Sequence, residues 1–553
     1  MKKIRGIQRQ KTDWRTWRLS LAFNLLILGV MLMLFCPKYE SKADVVMQNL
    51  LYGTISGLKT TDLVFSNVIL GKILGVFTAL FPNGAWYTFF QIFFILAALT
   101  GIGYVILSRL PGAGGKVLLL FILCFLGYES YVNIGYLRTA CLLTVSGSLL
   151  YTAALREGKE RLCAENVFAF ILFLVGSLYS FWVFCLVFAV GFLLSAARTV
   201  ISKSWKRLLR LAVDAAVIVL VCTALWGVDC LSYRGAGSEY ALEYRNDFEM
   251  IFFKDSKRVN YRFDEVSGVE TSGQGWAVSQ GVFLNGTEEA LTAVRDIARQ
   301  TKVFTTDTVD DYFKSIPISL FSIDSFYLWL GLSVVFLAFS KERLKVWLPS
   351  FLIVLVGAFM IYFTNALNSG TAYFILFAVA SMVILDDVRE LRMMEWRSAA
   401  AFASVLFILL YSQFSGSLLT TVRKDKLAAC FDPVRADREY LIDLDRICRD
   451  HSAFERYRSD LVKENIIVVN GFYSTMTAYD TPSFETHLGE EISWLANPAG
   501  FPLTDLVDFS TDEDLSGLSI TEEPSVPATT EDPSDLPTAA DPDDPSENAD
   551  PKQ

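Results

Sequence analysis

The 553-residue sequence predicts an all-α polytopic membrane protein with about eleven transmembrane helices, a small external α+β module and a disordered acidic tail. Three observations carry that reading. The chain is 53% hydrophobic and 14% aromatic, apolar runs recur from residue 17 to residue 414, and residues 511–553 are acidic and proline-rich. A water-soluble core would not need so many runs close to the roughly 20 residues that span a bilayer. In lipid such runs are helices, because hydrocarbon cannot satisfy open backbone groups.

Residues 1–16 form a basic N-terminus, expected to be cytoplasmic because short cytoplasmic loops collect Lys and Arg. The first apolar run, 17–35, lacks a small-residue cleavage site and is followed by many more, so it reads as an uncleaved helix rather than a secretory signal. Basic groups recur at Arg109 and Lys116, Arg156 to Arg161, Lys203 to Arg210, Lys341 to Lys345 and Arg389 to Arg397, all expected inside. That pattern requires an even number of crossings across 166–197, which therefore splits near Tyr179-Ser180-Phe181 into a short hairpin. The predicted spans are 17–35, 86–108, 116–134, 136–155, 166–179, 181–197, 207–227, 321–340, 345–363, 370–386 and 398–414. The transmembrane body is thus 17–414, with external loops 36–85 and 228–320. Eleven crossings describe a multi-pass cell-membrane protein with its N-terminus cytoplasmic and its C-terminus extracytoplasmic.

Residues 415–510 read as the external module, with helices over 437–448 and 452–464 and a buried strand Ile466–Val469 stopped by Asn470-Gly471. Cys430 and Cys448 lie in a compartment that permits a disulfide. The tail, 511–553, holds thirteen acids, one Lys and seven of the sixteen prolines. Taking its −12 from the chain's −10 leaves about +2 on the remainder. It reads as a solvated, disordered spacer, with an acidic recognition arm as the alternative.

Several chemistries are excluded. No G-x-x-x-x-G-K-[ST] occurs, and the run Gly112 to Gly115 is a tight connector between spans rather than a phosphate cradle. The cysteines show no metal spacing, and His451 and His487 are the two histidines, so a His-rich metal site or a Ser-His-Asp arrangement inside the membrane body is ruled out. Acid–base work falls to carboxylates, and no nucleic-acid partner is expected.

The first external loop is the most informative stretch: Glu40, Asp44, then Gly53, Gly57, Asn67 and Gly71, ending in Phe81-Pro82 and Trp86-Tyr87. Asp44 precedes two amphipathic segments expected in the interface plane. It reads either as a carboxylate placed near the lipid headgroups or as a loop acid that pairs with Lys42 or caps a helix starting at Val45. A second cluster runs from Tyr128 through Glu129, Tyr131, Asn133 and Tyr136 to Arg138. Glu129 and Arg138 either pair with each other or divide the work, Arg138 gripping a phosphate with its planar fork and Glu129 serving as a second carboxylate. The tyrosines and Trp86 suit an interfacial belt better than a sugar platform. In the large loop, Asp247 to Glu249, Asp255 to Arg258 and Ser267 to Gly281 suggest a partly folded cap, with Asn285-Gly-Thr287 as a turn before a helix over 288–302. The turn Thr364 to Thr371 is expected to line the same cavity.

Across about residues 20–415, and most specifically over 40–87, this layout resembles the integral-membrane glycosyltransferases of the GT-C type, and more closely the bacterial glucosyltransferase-like polytopic membrane proteins. The resemblance implies an inverting transferase that moves a sugar from a polyprenyl-phosphate carrier to an extracytoplasmic glycan or lipid acceptor in cell-surface glycan assembly. On it, the catalytic candidates are Asp44 and Glu129, and the substrate-binding candidates are Arg138, Glu40, Tyr128 and Asn133. The family carries an acidic pair after the first span. Asp44 matches its second member, whereas Ala43 stands at the first, which weakens the case for a divalent cation. Ala43 favours the alternative, a non-catalytic scaffold or transport component of surface polysaccharide assembly. A secondary transporter would require paired inverted repeats with broken helices, and the 166–197 hairpin has no counterpart in the sequence.

Overall fold

The structure, a computed structural model, describes residues 13–53, 59–234, 324–339, 343–363, 370–387, 440–442, 451–455, 466–468 and 507–508. In chain order these hold α1 (Trp14–Leu34), β1 (Lys38–Tyr39), α2 (Lys42–Tyr52), α3 (Val68–Leu80), α4 (Trp86–Arg109), α5 (Ala113–Tyr131), β2 (Asn133–Ile134), α6 (Tyr136–Glu157), α7 (Ala164–Tyr179), α8 (Phe181–Ile201) and α9 (Trp205–Ser232). Then come α10 (Asp324–Phe339), α11 (Arg343–Phe363), α12 (Gly370–Leu385), β3 (Tyr440–Ile442), β4 (Ile466–Val468) and β5 (Val507–Asp508). Among the described residues six helices, α1, α4, α5, α8, α9 and α11, are long and apolar enough to cross a membrane, and α3, α7, α10 and α12 are shorter apolar helices. The chain is a predominantly helical, multi-pass type of protein. The predicted eleventh span, 398–414, lies outside the described residues, as do the cap residues 247–302, the turn 364–369, Cys430, Cys448 and the tail 511–553.

The bundle is organised around α6, the helix with the most hydroxyl-bearing residues. Thr139, Thr144, Ser146, Ser148 and Thr152 are all buried where α6 meets α4, α7, α8 and α12. Small residues let these helices approach. A Cβ on Gly101 of α4 would lie 2.3 Å from Ser146 Oγ, and one on Gly147 would lie 2.8 Å from the Phe173 ring. Polar bonds stitch α1 to α4 and α5. Ser20 Oγ donates to the Thr100 carbonyl (2.8 Å), Asn24 Nδ2 to the Leu96 carbonyl (2.8 Å), and Tyr131 Oη to Asn24 Oδ1 (2.9 Å).

The break predicted near Ser180 is present: α7 stops at Tyr179 and Ser180 caps α8 by accepting from Val183 N. The second arm is not short, however. α8 continues for 21 residues, to Ile201 rather than to the predicted end at 197.

The first external loop also differs from expectation. α2 is not an interfacial helix with one face toward lipid, because every residue from Ala43 to Leu51 is buried. Its polar residues Asp44, Gln48 and Asn49 mimic a solvent face in sequence but meet protein. α3 keeps an exposed apolar face at Ile73, Val76 and Leu80. Its N-terminus is capped twice, by Asn67 to Ile69 N (2.9 Å) and by Asp229 of α9 to Val68 N (2.7 Å). β1 and β2 form a parallel pair, Lys38 opposite Asn133 and Tyr39 opposite Ile134, which brings the chain after α1 against the α5–α6 turn.

In the C-terminal region β4 falls where the strand was predicted. The helix predicted over 437–448 is overturned at 440–442, which is strand β3, parallel to β4 and antiparallel to β5. Three successive apolar residues, Tyr440-Leu441-Ile442, fit the middle strand of the order β4-β3-β5 as well as a helix face. Residues 452–455 form a turn, so a helix does not begin at Ser452.

Candidate functional site

Asp44 sits in the third position of α2, and Ser41 is the N-cap. This corrects the expectation that Asp44 caps a helix starting at Val45. Ser41 Oγ accepts from Asp44 N (3.3 Å) and donates to Asp44 Oδ2 (2.6 Å). The hydroxyl thus caps the helix and ties down the third-position acid at the same time. The side chain of Lys42, the other suggested partner, is outside the described set.

The other oxygen, Oδ1, gathers three donors from two further helices: Tyr87 Oη (2.9 Å) and Gln91 Nε2 (3.1 Å) of α4, and the backbone N–H of Tyr136 (3.0 Å) at the start of α6. α6 lacks a side-chain cap because its N-cap is Gly135. Asp44 supplies the anion that this helix end attracts. All four donors are neutral and Asp44 is 0% exposed. Burial pushes its carboxyl up to about 6, against the opposing pull of Ser41, Gln91, Tyr87 and the Tyr136 N–H.

Glu40 lies against the same glycine. A Cβ on Gly135 would be 3.0 Å from Glu40 Oε2 and 3.8 Å from Asp44 Oδ2. Two carboxylates therefore converge on one backbone position.

Arg138, on the first turn of α6, bonds Glu40 Oε1 through Nη2 (2.6 Å) and the Glu129 carbonyl through Nη1 (2.8 Å). Nη1 is also 3.6 Å from Glu129 Oε1. The expected Glu129–Arg138 pairing is thus present, extended by Glu40. The guanidinium lies 5.1 Å over the Phe374 ring of α12, and its Nε has no partner among the described residues. Glu129 Oε2 accepts from Ser325 N (2.8 Å) at the start of α10, beside buried Asp324. Gly370 closes the cluster, its Cβ position 3.6 Å from both Arg138 Nη2 and Glu40 Oε1. The end of the 364–371 turn therefore does reach the cluster.

Of the six predicted site residues, Glu40, Asp44, Glu129 and Arg138 come together. Tyr128 packs edge-on against Phe35, 4.9 Å between ring centres, and Asn133 pairs with Lys38 in the β1–β2 ladder. Sequence reasoning missed Gln91, Gly135 and Ser325 as site residues, and took Tyr87 for part of an interfacial belt. Gln91 did carry a signal, as an isolated amide inside the apolar run of α4.

The donor set does not suit a divalent cation. Asp44 Oδ1 already takes three donors and Glu40 is paired with Arg138. Among the described residues no group of three or more His, Cys, Asp or Glu is placed to hold a metal ion.

At the opposite end of the bundle is a second buried cluster. Asp386, just past α12, bonds Arg156 Nη2 (2.6 Å), Arg198 Nη1 and Thr152 Oγ1 (3.0 Å), and lies 3.4 Å from Arg109 Nη1. Asp387 bonds Arg156 (3.0 Å) and Arg198. Most of the basic loops predicted to share one side contribute here or nearby: Arg109, Arg156, Lys159 and Arg210, the last donating to the Lys159 carbonyl.

No protein-family profile, curated protein or solved structure matches the chain.

Proposed function

We propose that the protein is a cell-membrane glycosyltransferase that moves a sugar from a polyprenyl-phosphate carrier to an extracytoplasmic acceptor, with the Glu40–Asp44–Arg138 end facing outward. The observation that supports this best is the convergence of the Glu40 and Asp44 carboxylates on Gly135, beside a buried arginine. In the reaction, Asp44 takes the proton of the acceptor hydroxyl. The acceptor oxygen then bonds the anomeric carbon as the bond to the carrier phosphate breaks, inverting that centre. A carboxyl held near 6 is basic enough to accept that proton and remains largely ionised at neutral pH. Arg138 receives the departing phosphate, where a fixed guanidinium stabilises developing charge. Of its two acidic partners Glu40 is the more exposed, 18% against 4% for Glu129, and is the one a phosphate displaces.

A non-catalytic scaffold or transport component is the second reading. It is favoured by the complete enclosure of Asp44, whose two oxygens are both bonded to protein donors. Mass spectrometry of surface glycans and polyprenyl-linked sugars in cells lacking the protein separates the two. Transfer predicts a missing glycan sugar with its lipid-linked donor accumulating, both reversed by the native chain. A scaffold predicts mislocalised or shortened glycan with all sugars present, and an unchanged glycan profile contradicts both readings.

A further inference from the structure

Residues 451–455 pack against the candidate site from far along the chain. Ala453 N donates to the Pro37 carbonyl (2.7 Å), next to β1. Thr88 Oγ1, on α4, donates to the Ala453 carbonyl (2.6 Å) across 365 positions of sequence. A threonine hydroxyl has one proton, so in the 2.7 Å contact between Tyr39 Oη and Thr88 Oγ1 the tyrosine is the donor. The result is a directed chain from Tyr39 through Thr88 to Ala453. The Phe454 ring lies 5.4 Å from that of Phe89, and Gln48 Nε2 of α2 reaches the Glu455 carbonyl at 3.5 Å. Thr88 and Ala453 are fully buried and His451 is nearly so.

The three elements that this stretch touches lie beside or carry Glu40, Asp44 and the Tyr87 and Gln91 donors. Tyr39 immediately precedes Glu40, Thr88 immediately follows Tyr87, and Gln48 lies one turn beyond Asp44. We infer that residues 451–455 form a wall of the candidate site, and that Thr88 is a positioning residue through which this wall fixes Tyr39 and Tyr87 around Asp44. The C-terminal region is then part of the site rather than an appendage. Buried groups hydrogen-bonded in series hold one another in a single arrangement, and breaking one link admits water. The groups facing Asp44 are Glu40 and Ser41 before α2, Tyr87 and Gln91 of α4, the Tyr136 N–H of α6 and Tyr179 of α7, with Tyr39 of β1 behind Tyr87 at 6.0 Å between ring centres. Glu40 is the charged member of that set.

The inference concerns the carboxylate used in the transfer reading, but its test reads the carboxyl directly and stands if transfer fails. In the full-length detergent-solubilised protein, the infrared band of protonated Asp44, identified by its loss in Asp44→Asn, is titrated with pH. Native protein should titrate near 6, and Thr88→Ser, which keeps the hydroxyl, should match it. Thr88→Val and Ala453→Glu should titrate lower by about one unit, because water at the site relieves the burial that raised the carboxyl. Docking is checked separately with the Phe89→Cys/Phe454→Cys pair in a Cys36→Ser background, where oxidation should cross-link the chain and added Ala453→Glu should prevent it. No cross-link, or an unchanged titration in both Thr88→Val and Ala453→Glu, overturns the inference.

Discussion

The two ends of the bundle bury charge in opposite ways. At one end, two acids, Asp386 and Asp387, meet three guanidiniums carried by α4, α6 and α8. At the other, one guanidinium, Arg138, faces Glu40 and Glu129, and Asp44 is held by neutral donors alone. The first arrangement ties together the ends of four helices, and its two acids offset all but one of its three positive charges. Such a cluster is costly to break, because removing one partner strands the rest in a dry interior. The second leaves acid in excess. Neutral donors orient Asp44 without cancelling its charge, so the carboxyl can still exchange a proton. The contrast separates a structural node from a site with chemistry available to it.

The sharpest way to break the comparison is at the node. Asp386→Ala removes a buried carboxylate from three guanidiniums at once, leaving Asp387 as the acid of the node, and should cost about 3–5 kcal/mol, read as a large fall in the unfolding temperature of the solubilised protein. A native melting temperature would mean that the node is not a staple. Next is the pH response of the site. The folded carboxyl of Asp44 is raised from 3.8 to about 6, so the folded state binds that proton more tightly than the unfolded one. The penalty of burying ionised Asp44 is absent below the unfolded value and complete above the folded one. Stability relative to Asp44→Asn should therefore decline as pH rises through that window, by up to about 3 kcal/mol, as followed by unfolding of both proteins between acid and neutral pH. A flat difference would show that Asp44 is hydrated. The smallest effect is expected at the cap. Ser41→Ala removes an N-cap worth about 1 kcal/mol and a donor that favours the ionised form, so Asp44 should titrate above its native midpoint. A downward move in the same infrared titration would show that the Ser41 bond matters less than the water its loss admits.

Much of the helical frame was legible because hydropathy writes spans directly into sequence: the limits of α4, α7 and α12 fall within a few residues of prediction. The break at Ser180 followed from charge placement alone. Contacts that cross the chain were less legible. Asp44 takes donors from Tyr87, Gln91 and Tyr136, and Arg138 finds Glu40 across 98 positions, with no local pattern to announce either. Glu40 was read as a substrate ligand, and nothing local in the sequence shows that it and Asp44 meet at Gly135. α2 misled for a related reason, since a polar face that meets buried polar partners looks like one that meets water. β3 misled because its neighbours, β4 and β5, lie far along the chain.

The central claim is that Asp44 does chemistry rather than hold the fold. It is tested most directly by expressing Asp44→Asn, at membrane levels matched to the native chain, in cells lacking the protein, and measuring surface glycans and lipid-linked sugars by mass spectrometry. The account predicts a folded protein that leaves the sugar missing and its polyprenyl-linked donor accumulated. Restoration of the glycan to the native level by Asp44→Asn would contradict it.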